Sequence, residues 1–273
     1  MKTSHATLFG SGLLLACLFP LQVGAVTCGG GPGIGGMFGT DPIAVEAGET
    51  IQEAIQEHRG QRSKSVSNNE ARAKLHPKDP LVQKELGIDY HHLSMKHRVK
   101  GVAKKAYRQL KKAQEMAPDD PELEAWVGSA RTLVARDSLN PIKKLRWAKK
   151  GARMIDRAIA RAPKNIVIRN IRANNSFRLP KFLKRRHLAK KDLLKMESLF
   201  KDKKAGWWKT EPYKEEDKKN VMAEAFFKLA KIFEDEHDAL KAVGYLKKAI
   251  EVSKKSPWSR FAKKKLAKAP SAK

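Results

Sequence analysis

From Pro80 onward, apolar residues recur at intervals of three and four positions, with almost no strand-like alternation. This spacing is typical of amphipathic helices, because 3.6 residues per turn bring such positions to one face. Pro77, Pro118 and Pro163 each end a long amphipathic run, at intervals of 41 and 45 residues. Regular stops of this kind predict stacked helical hairpins, since one hairpin alone cannot bury its apolar face.

The first 25 residues follow a different pattern. A short polar start with Lys2 precedes a mostly apolar run from Leu8 to Leu18, and small residues end the segment at Ala25. This pattern is typical of a secretory signal peptide and is too short for a membrane-spanning helix. We therefore expect an exported protein, periplasmic or associated with the cell envelope, with an uncleaved membrane anchor as the alternative.

Residues 26–79 are predicted to form a glycine-rich linker followed by a short helical lead-in. The linker contains GPGIGG, but no strand precedes it and no helix begins at the phosphate position, so nucleotide binding is not expected. Thr50 is a candidate helix N-cap, and the polar composition of 60–69 predicts an irregular stretch. Cys28 is a candidate lipid-attachment site, with soluble release as the alternative.

Three segments share a pattern of large and small apolar residues on paired helices. The segment from Ala223 places them at Phe226, Leu229, Ala230, Phe233, Ala242, Leu246 and Ala249. The segment from Pro80 places them at Leu86, Gly87, Tyr90, Ala106, Leu110 and Ala113, before Pro118. A further second helix has Gly151, Ile155 and Ala158, before Pro163. Small residues let two helix backbones approach, and large ones fill the groove between them. The chain thus resembles the tetratricopeptide repeat (TPR) family, in a bacterial exported type with elongated, insertion-bearing repeats.

The resemblance implies an all-α fold, a short α-solenoid of antiparallel helix hairpins over residues 80–267. A capping helix from Pro257 to Leu266 closes it, and residues 268–273 are predicted to be a disordered tail. Breaks are expected at 137–141 and 178–180, and the register of the helix around Trp126 and Ala130 stays open. The family's clamp for acidic peptide tails is not carried over, because Ile88 occupies its asparagine position.

Positive charge is concentrated in the middle of the chain. The net charge is +28, and residues 142–191 contain 18 lysines and arginines but one acid, Asp156. Such a segment attracts anionic partners, and arginine suits carboxylate and phosphate, although a solvated face is the alternative. The candidate partner-binding residues are Arg146, Lys150, Arg153, Arg157, Arg161, Lys184, Arg185 and Arg186.

No residue pattern indicates an enzyme, a cofactor or a metal site. The adjacent His91 and His92 point about 100° apart on a helix and are expected on a polar surface. Trp207 and Trp208 form a candidate aromatic contact.

We therefore predict a non-enzymatic exported scaffold or adaptor that binds an acidic or extended segment of a partner protein. The alternative is a protein that binds polyanions or membrane surfaces through residues 142–191, on anionic lipid or glycan. Nucleic acid is not expected to be the partner of an exported protein.

Overall fold

The computed structural model describes residues 65–97, 101–202 and 215–268. These ranges contain helices and no β-strand, so the fold is all-α as predicted. The helices are α1 (Pro80–His97), α2 (Val102–Met116), α3 (Pro121–Arg136), α4 (Pro141–Arg161), α5 (Ile166–Arg178), α6 (Arg186–Lys201), α7 (Glu215–Asp235), α8 (Ala239–Val252) and α9 (Pro257–Lys268). A short 3-10 helix (Lys181–Leu183) precedes α6.

Several helices begin with a short polar residue followed by proline. Asp120 accepts a hydrogen bond from the backbone N–H of Glu122 at 2.7 Å, and Asn140 accepts one from Lys143 at 2.9 Å. These side chains satisfy N–H groups that have no partner within the helix. Proline is suited to the next position because its missing N–H is not needed there. Side-chain caps also begin α1, α5 and α8, at Asp79, Asn165 and Asp238.

Helices that follow each other in sequence pack as pairs: α1 with α2, α3 with α4, α5 with α6 and α7 with α8. The first helices of successive pairs also touch, α1 with α3 and α3 with α5. The last helix, α9, packs on α7 and α8, and its Trp258 ring lies 5.6 Å from the Phe227 ring. This arrangement is a short α-solenoid of helix hairpins with a C-terminal cap, which confirms the predicted fold class.

The positions that carry the TPR-like pattern lie in the core. All seven apolar residues quoted for the α7–α8 pair are buried, in one cluster with residues of α5, α6 and α9. A second cluster joins α2, α3, α4 and α5 and includes Ala106, Leu110, Ile155 and Ala158. Helix α5 contributes to both clusters and therefore links the two ends of the stack.

The segment before Pro80 differs from the prediction, because residues 65–75 are helical. The hydroxyl of Ser65 and the amide of Asn69 donate to the carboxylate of Asp89 in α1, at 2.9 and 2.7 Å. Because polar contacts hold this helix against α1, its sequence lacks the apolar periodicity by which a helix is predicted. The predicted signal peptide, the lead-in helix at Thr50 and residues 269–273 lie outside the described residues.

Candidate functional site: the outer face of α4

Helix α4 has opposite chemistry on its two sides. Its apolar residues, among them Ala148, Ile155 and Ala158, are buried where α4 packs against α3 and α5. Residues seven apart, such as Arg146 and Arg153, lie two turns apart on one side of a helix, and here that side is exposed. We call this exposed side, defined by Arg146, Lys149, Lys150 and Arg153, the α4 outer face.

The four cations of the α4 outer face are not neutralised by an acid within the described chain. Among the described residues, none of the four forms an ion pair or a side-chain hydrogen bond. Three of them are residues that the sequence predicts to bind a partner, and Lys149 is an addition. Unneutralised charges on one exposed side raise the local concentration of anions.

Two further predicted residues of α4, Arg157 and Arg161, are engaged with α3. The Nε of Arg157 donates to Glu124 Oε1 at 2.9 Å, and the Nη1 of Arg161 donates to Glu124 Oε2 at 3.4 Å. Glu124 is only 7% exposed, so its charge is compensated by these two guanidinium groups rather than by water. Arg157 and Arg161 therefore balance a buried acid of the fold.

Arg185 is also paired, with the acid that the sequence places alone in the basic stretch. Its two terminal nitrogens donate to the carboxylate of Asp156 at 2.9 and 2.6 Å, a bidentate geometry. Asp156 lies on α4 and Arg185 lies between the 3-10 helix and α6. The pair therefore fixes the chain before α6 against α4.

A buried carboxylate extends this network into the core. Asp192 of α6 is fully buried and accepts hydrogen bonds from Arg169 at 2.9 Å and Arg172 at 2.6 Å. Burial acts to lower the pKa of Arg172, but the hydrogen bond and charge of Asp192 and the charge of Asp156 outweigh it and raise that pKa. Arg172 lies 3.8 Å from Asp156, so α4, α5 and α6 share one chain of charges.

The two remaining candidate partner-binding residues, Arg186 and Lys184, differ in their contacts. Arg186 donates to Asp235 at 2.5 Å and to the carbonyl of Phe177 at 3.0 Å. Lys184 ends the 3-10 helix in a left-handed conformation, is exposed, and has no ion pair within the described chain. The eight predicted partner-binding residues thus divide into four that are paired internally and four that are not.

A shallow cavity of about 190 Å³ opens beside the α4 outer face. The chain break predicted at 178–180 is present, and it brings the 3-10 helix across the middle of α4. Small residues of α4 and one leucine give the cavity an apolar lining, and three cations complete it. We call this cavity the α4 niche; its residues are Ala148, Lys149, Ala152, Arg153, Leu183 and Arg185.

A polar cluster that the sequence does not indicate crosses α1, α3 and α5. The Nε2 of His91 lies 2.7 Å from the hydroxyl oxygen of Ser129, and the amide of Asn175 donates to the same oxygen at 2.9 Å. The hydroxyl of Thr132 lies 2.6 Å from the amide oxygen of Asn175. The side chains come from three helices, α1, α3 and α5, and only Ser129 and Thr132 are neighbours on one helix.

The expectation that His91 lies on a polar surface is wrong, since only 5% of it is exposed. Burial lowers the pKa of His91 well below its usual value, and the nearby His92, Arg178 and Arg136 lower it further. The imidazole is therefore neutral, and its Nδ1 has no hydrogen-bond partner. The cluster joins the first three hairpins through neutral groups.

Other predicted features lie elsewhere or are not described. Trp207, Trp208 and Cys28 lie outside the described residues. Within residues 65–97, 101–202 and 215–268, no group of three or more His, Cys, Asp or Glu side chains is placed to hold a metal ion. In the same ranges, no helix is both long enough and apolar enough to cross a membrane.

Comparison with known proteins adds a likeness in structure, and none in sequence. No family model matches the sequence, and no curated protein matches it. The crystal structure of MamA is similar with a TM-score of 0.41 and 16% identity, over 78% of this chain and 95% of that one. The packing described above, rather than this likeness, defines the class: an all-α solenoid of TPR-like helix hairpins.

Proposed function

We propose that the protein is a non-enzymatic scaffold that binds an acidic segment of a partner protein along the α4 outer face. The contrast between two sets of cations carries this proposal. Arg157, Arg161, Arg185 and Arg186 each pair with an acid of the same chain, whereas the α4 outer face is unpaired within the part of the chain that the structure describes. Like charges crowded on one face repel each other, and carboxylates of a partner relieve that repulsion.

The dimensions of the α4 outer face set the length of the bound segment. Arg146 and Arg153 are separated by seven residues of helix, which correspond to about 10 Å along its axis. An extended peptide advances about 3.3 Å per residue, so carboxylates three residues apart reach both ends. A short acidic stretch of the partner is therefore sufficient.

A defined acidic peptide tests this function. The probe is a labelled dodecapeptide of glutamate and alanine, titrated with the full chain while its fluorescence anisotropy is measured. The double variant Arg146→Glu/Lys150→Glu is expected to bind about tenfold more weakly or worse. The matched control is Lys247→Glu/Lys263→Glu, which changes the net charge equally at exposed sites of α8 and α9 that form no ion pair among the described residues. Equal losses in both double variants would show that net charge alone attracts the peptide, and the proposal would fail.

A second candidate function, binding to an anionic membrane surface, is favoured by a separate observation. Leu139 is 100% exposed and Ile142 is 78% exposed, at the end of α4 where its basic side begins. Exposed apolar residues beside cations are suited to the boundary between lipid headgroups and acyl chains. Sedimentation with phosphatidylglycerol vesicles tests it: Leu139→Asp/Ile142→Asp abolishes binding if these side chains insert, and leaves it unchanged if they do not.

We also propose that the protein belongs to the TPR family and is exported to the periplasm or envelope. The run from Leu8 to Ala25 supports export, and Cys28 supports a lipid anchor as a variant of it. Mass spectrometry of the N-terminal peptide from isolated envelopes tests both. Cleavage after Ala25 indicates release, a lipid on Cys28 indicates anchoring, and an intact Met1 in a cytosolic fraction contradicts export.

A further inference from the structure

We infer that the α4 niche receives the side chain of a glutamate from the bound segment and acts as its anchor. This inference rests on the proposed function, because it names the residue by which the acidic partner is held. The niche lies beside the α4 outer face and shares Lys149 and Arg153 with it.

The lining of the niche combines an apolar base with charged sides. Ala148 and Ala152 are buried and small, so they leave room above α4 that a larger residue would fill. Leu183 of the 3-10 helix faces the same space. The methylene groups of a glutamate match this apolar surface, while its carboxylate reaches the surrounding cations.

The charges around the niche favour an anion. Lys149 and Arg153 are exposed and form no ion pair within the described chain. Arg185 contributes a third positive charge, and Asp156, which holds it, contributes one negative charge. The next carboxylate inward, Asp192, is fully buried and already paired with two arginines. The niche therefore keeps an excess of two positive charges.

Arg185 is positioned before any ligand arrives. Its side chain is 18% exposed, and both of its terminal nitrogens are held by Asp156. Its Nε is buried and makes no hydrogen bond. A side chain that is already ordered loses little conformational entropy on binding, so this entropy cost takes little away from its contribution to affinity.

The length of the acidic side chain is the first test. Three labelled dodecapeptides are compared, in which alanine alternates with glutamate, aspartate or glutamine. The glutamate peptide is expected to bind about fourfold more tightly than the aspartate peptide, the factor that one buried methylene group gives. Equal affinity for the two acidic peptides would contradict a niche that receives methylene groups. Equal affinity for the glutamate and glutamine peptides would contradict recognition of charge.

Two neighbouring substitutions on the 3-10 helix separate the niche from its surroundings. Leu183→Glu places a carboxylate inside the niche and is expected to weaken glutamate-peptide binding about tenfold. Phe182→Glu makes the same charge change one residue earlier, on a side chain that does not line the niche, and should cost less than about threefold. Equal losses would overturn the niche as the anchor site.

A second pair of variants covers the case in which Leu183→Glu does not fold, as shown by circular dichroism. Leu183→Ala removes the apolar wall of the niche without a change of charge, and Phe182→Ala removes an exposed neighbouring side chain outside the niche. The first is expected to weaken binding and the second to leave it nearly unchanged. Identical behaviour of the two would reject the niche.

The outcomes separate this inference from the proposed function. If Arg146→Glu/Lys150→Glu weakens binding but Leu183→Glu and Leu183→Ala match their controls, the scaffold function stands and the niche fails. If all variants match their controls, both fail. Competition with inorganic phosphate at constant ionic strength identifies the anion. Displacement by phosphate from the wild-type chain at concentrations where acetate has no effect would show a phosphate site and overturn the inference.

Discussion

Gly128 of α3 and Gly151 of α4 face each other where the two helices cross. A Cβ atom on Gly128 would lie 2.7 Å from the carbonyl oxygen of Gly151, and one on Gly151 would lie 2.5 Å from that of Gly128. Real Cβ atoms do not approach an oxygen so closely, so both positions need glycine. The contact between the two glycines sets the distance between α3 and α4, and hence the position of the α4 outer face.

Replacing Gly151 with alanine should destabilise the protein. The new methyl group meets backbone atoms of α3, which cannot move aside as a flexible side chain does. Overpacking of this kind costs about 1–3 kcal/mol, more than the gain of about 1 kcal/mol that alanine brings to a helix. Urea unfolding followed by circular dichroism should show a lower midpoint for Gly151→Ala.

The matched control is Gly244→Ala in α8. A Cβ at Gly244 would meet nothing within 4 Å, so only helix propensity acts there. The free energy of unfolding should rise by up to about 1 kcal/mol. A stable Gly151→Ala variant would show that α3 and α4 are farther apart than the structure has them.

Asp192 gives a second test of stability. Asp192→Asn keeps the shape of the side chain but leaves Arg169 and Arg172 without the carboxylate between them. Breaking a buried ion pair from one side costs about 3–5 kcal/mol, so a marked drop in the thermal midpoint is expected. Asp217→Asn, at an exposed site of α7 without an ion pair in the described ranges, should change stability by less than about 0.5 kcal/mol. Similar midpoints for both variants would contradict the network.

The sequence predicts the hairpins because their apolar spacing is a local property of each helix. It does not determine which residues of α3 face the core, because that helix carries charged groups at inward positions. Glu124 is buried against arginines of α4, and the Arg131 guanidinium lies 4.6 Å from the centre of the Trp147 ring. These polar positions interrupt the apolar period, and their partners lie on other helices.

The candidate site is predicted less completely for a related reason. Arg153 and Arg157 are four residues apart on one helix and look equivalent in the sequence. The position of Glu124 on α3 makes Arg157 paired, while Arg153 stays unpaired among the residues that the structure describes. The cluster of His91, Ser129 and Asn175 is likewise assembled from three hairpins, so only the fold reveals it.

The neutral state of His91 predicts that the protein is less stable in mild acid. The folded chain depresses the pKa of His91 below its ordinary value of 6.5, so below that pH the unfolded chain binds more protons. Stability from this group is therefore complete above pH 6.5 and is lost as the pH falls, by at most about 1.4 kcal/mol per pH unit. Urea midpoints measured at a series of pH values report this slope.

His91→Gln should flatten the dependence below the ordinary pKa of histidine, because glutamine does not titrate. His187→Gln, at an exposed site of α6, should retain the wild-type slope. If the two variants showed the same slope as the wild type, His91 would not be the group responsible.

Substitution of Glu124 is expected to strengthen binding of the acidic peptide and to lower the stability of the protein. Glu124→Gln removes the charge that pairs with Arg157 and Arg161, whose side chains are 61% and 44% exposed beside the α4 outer face. Arg161 keeps its contacts with Asp119. The freed cations should tighten binding of the glutamate dodecapeptide about threefold, while stability falls by about 1 kcal/mol. Glu251→Gln makes the same charge change at an exposed site of α8 that has no ion pair with any described residue, and it should alter neither property. Anisotropy titrations of the two variants at equal ionic strength measure the change in affinity. An equal gain in both variants would show that net charge, and not the release of arginines from Glu124, causes the effect.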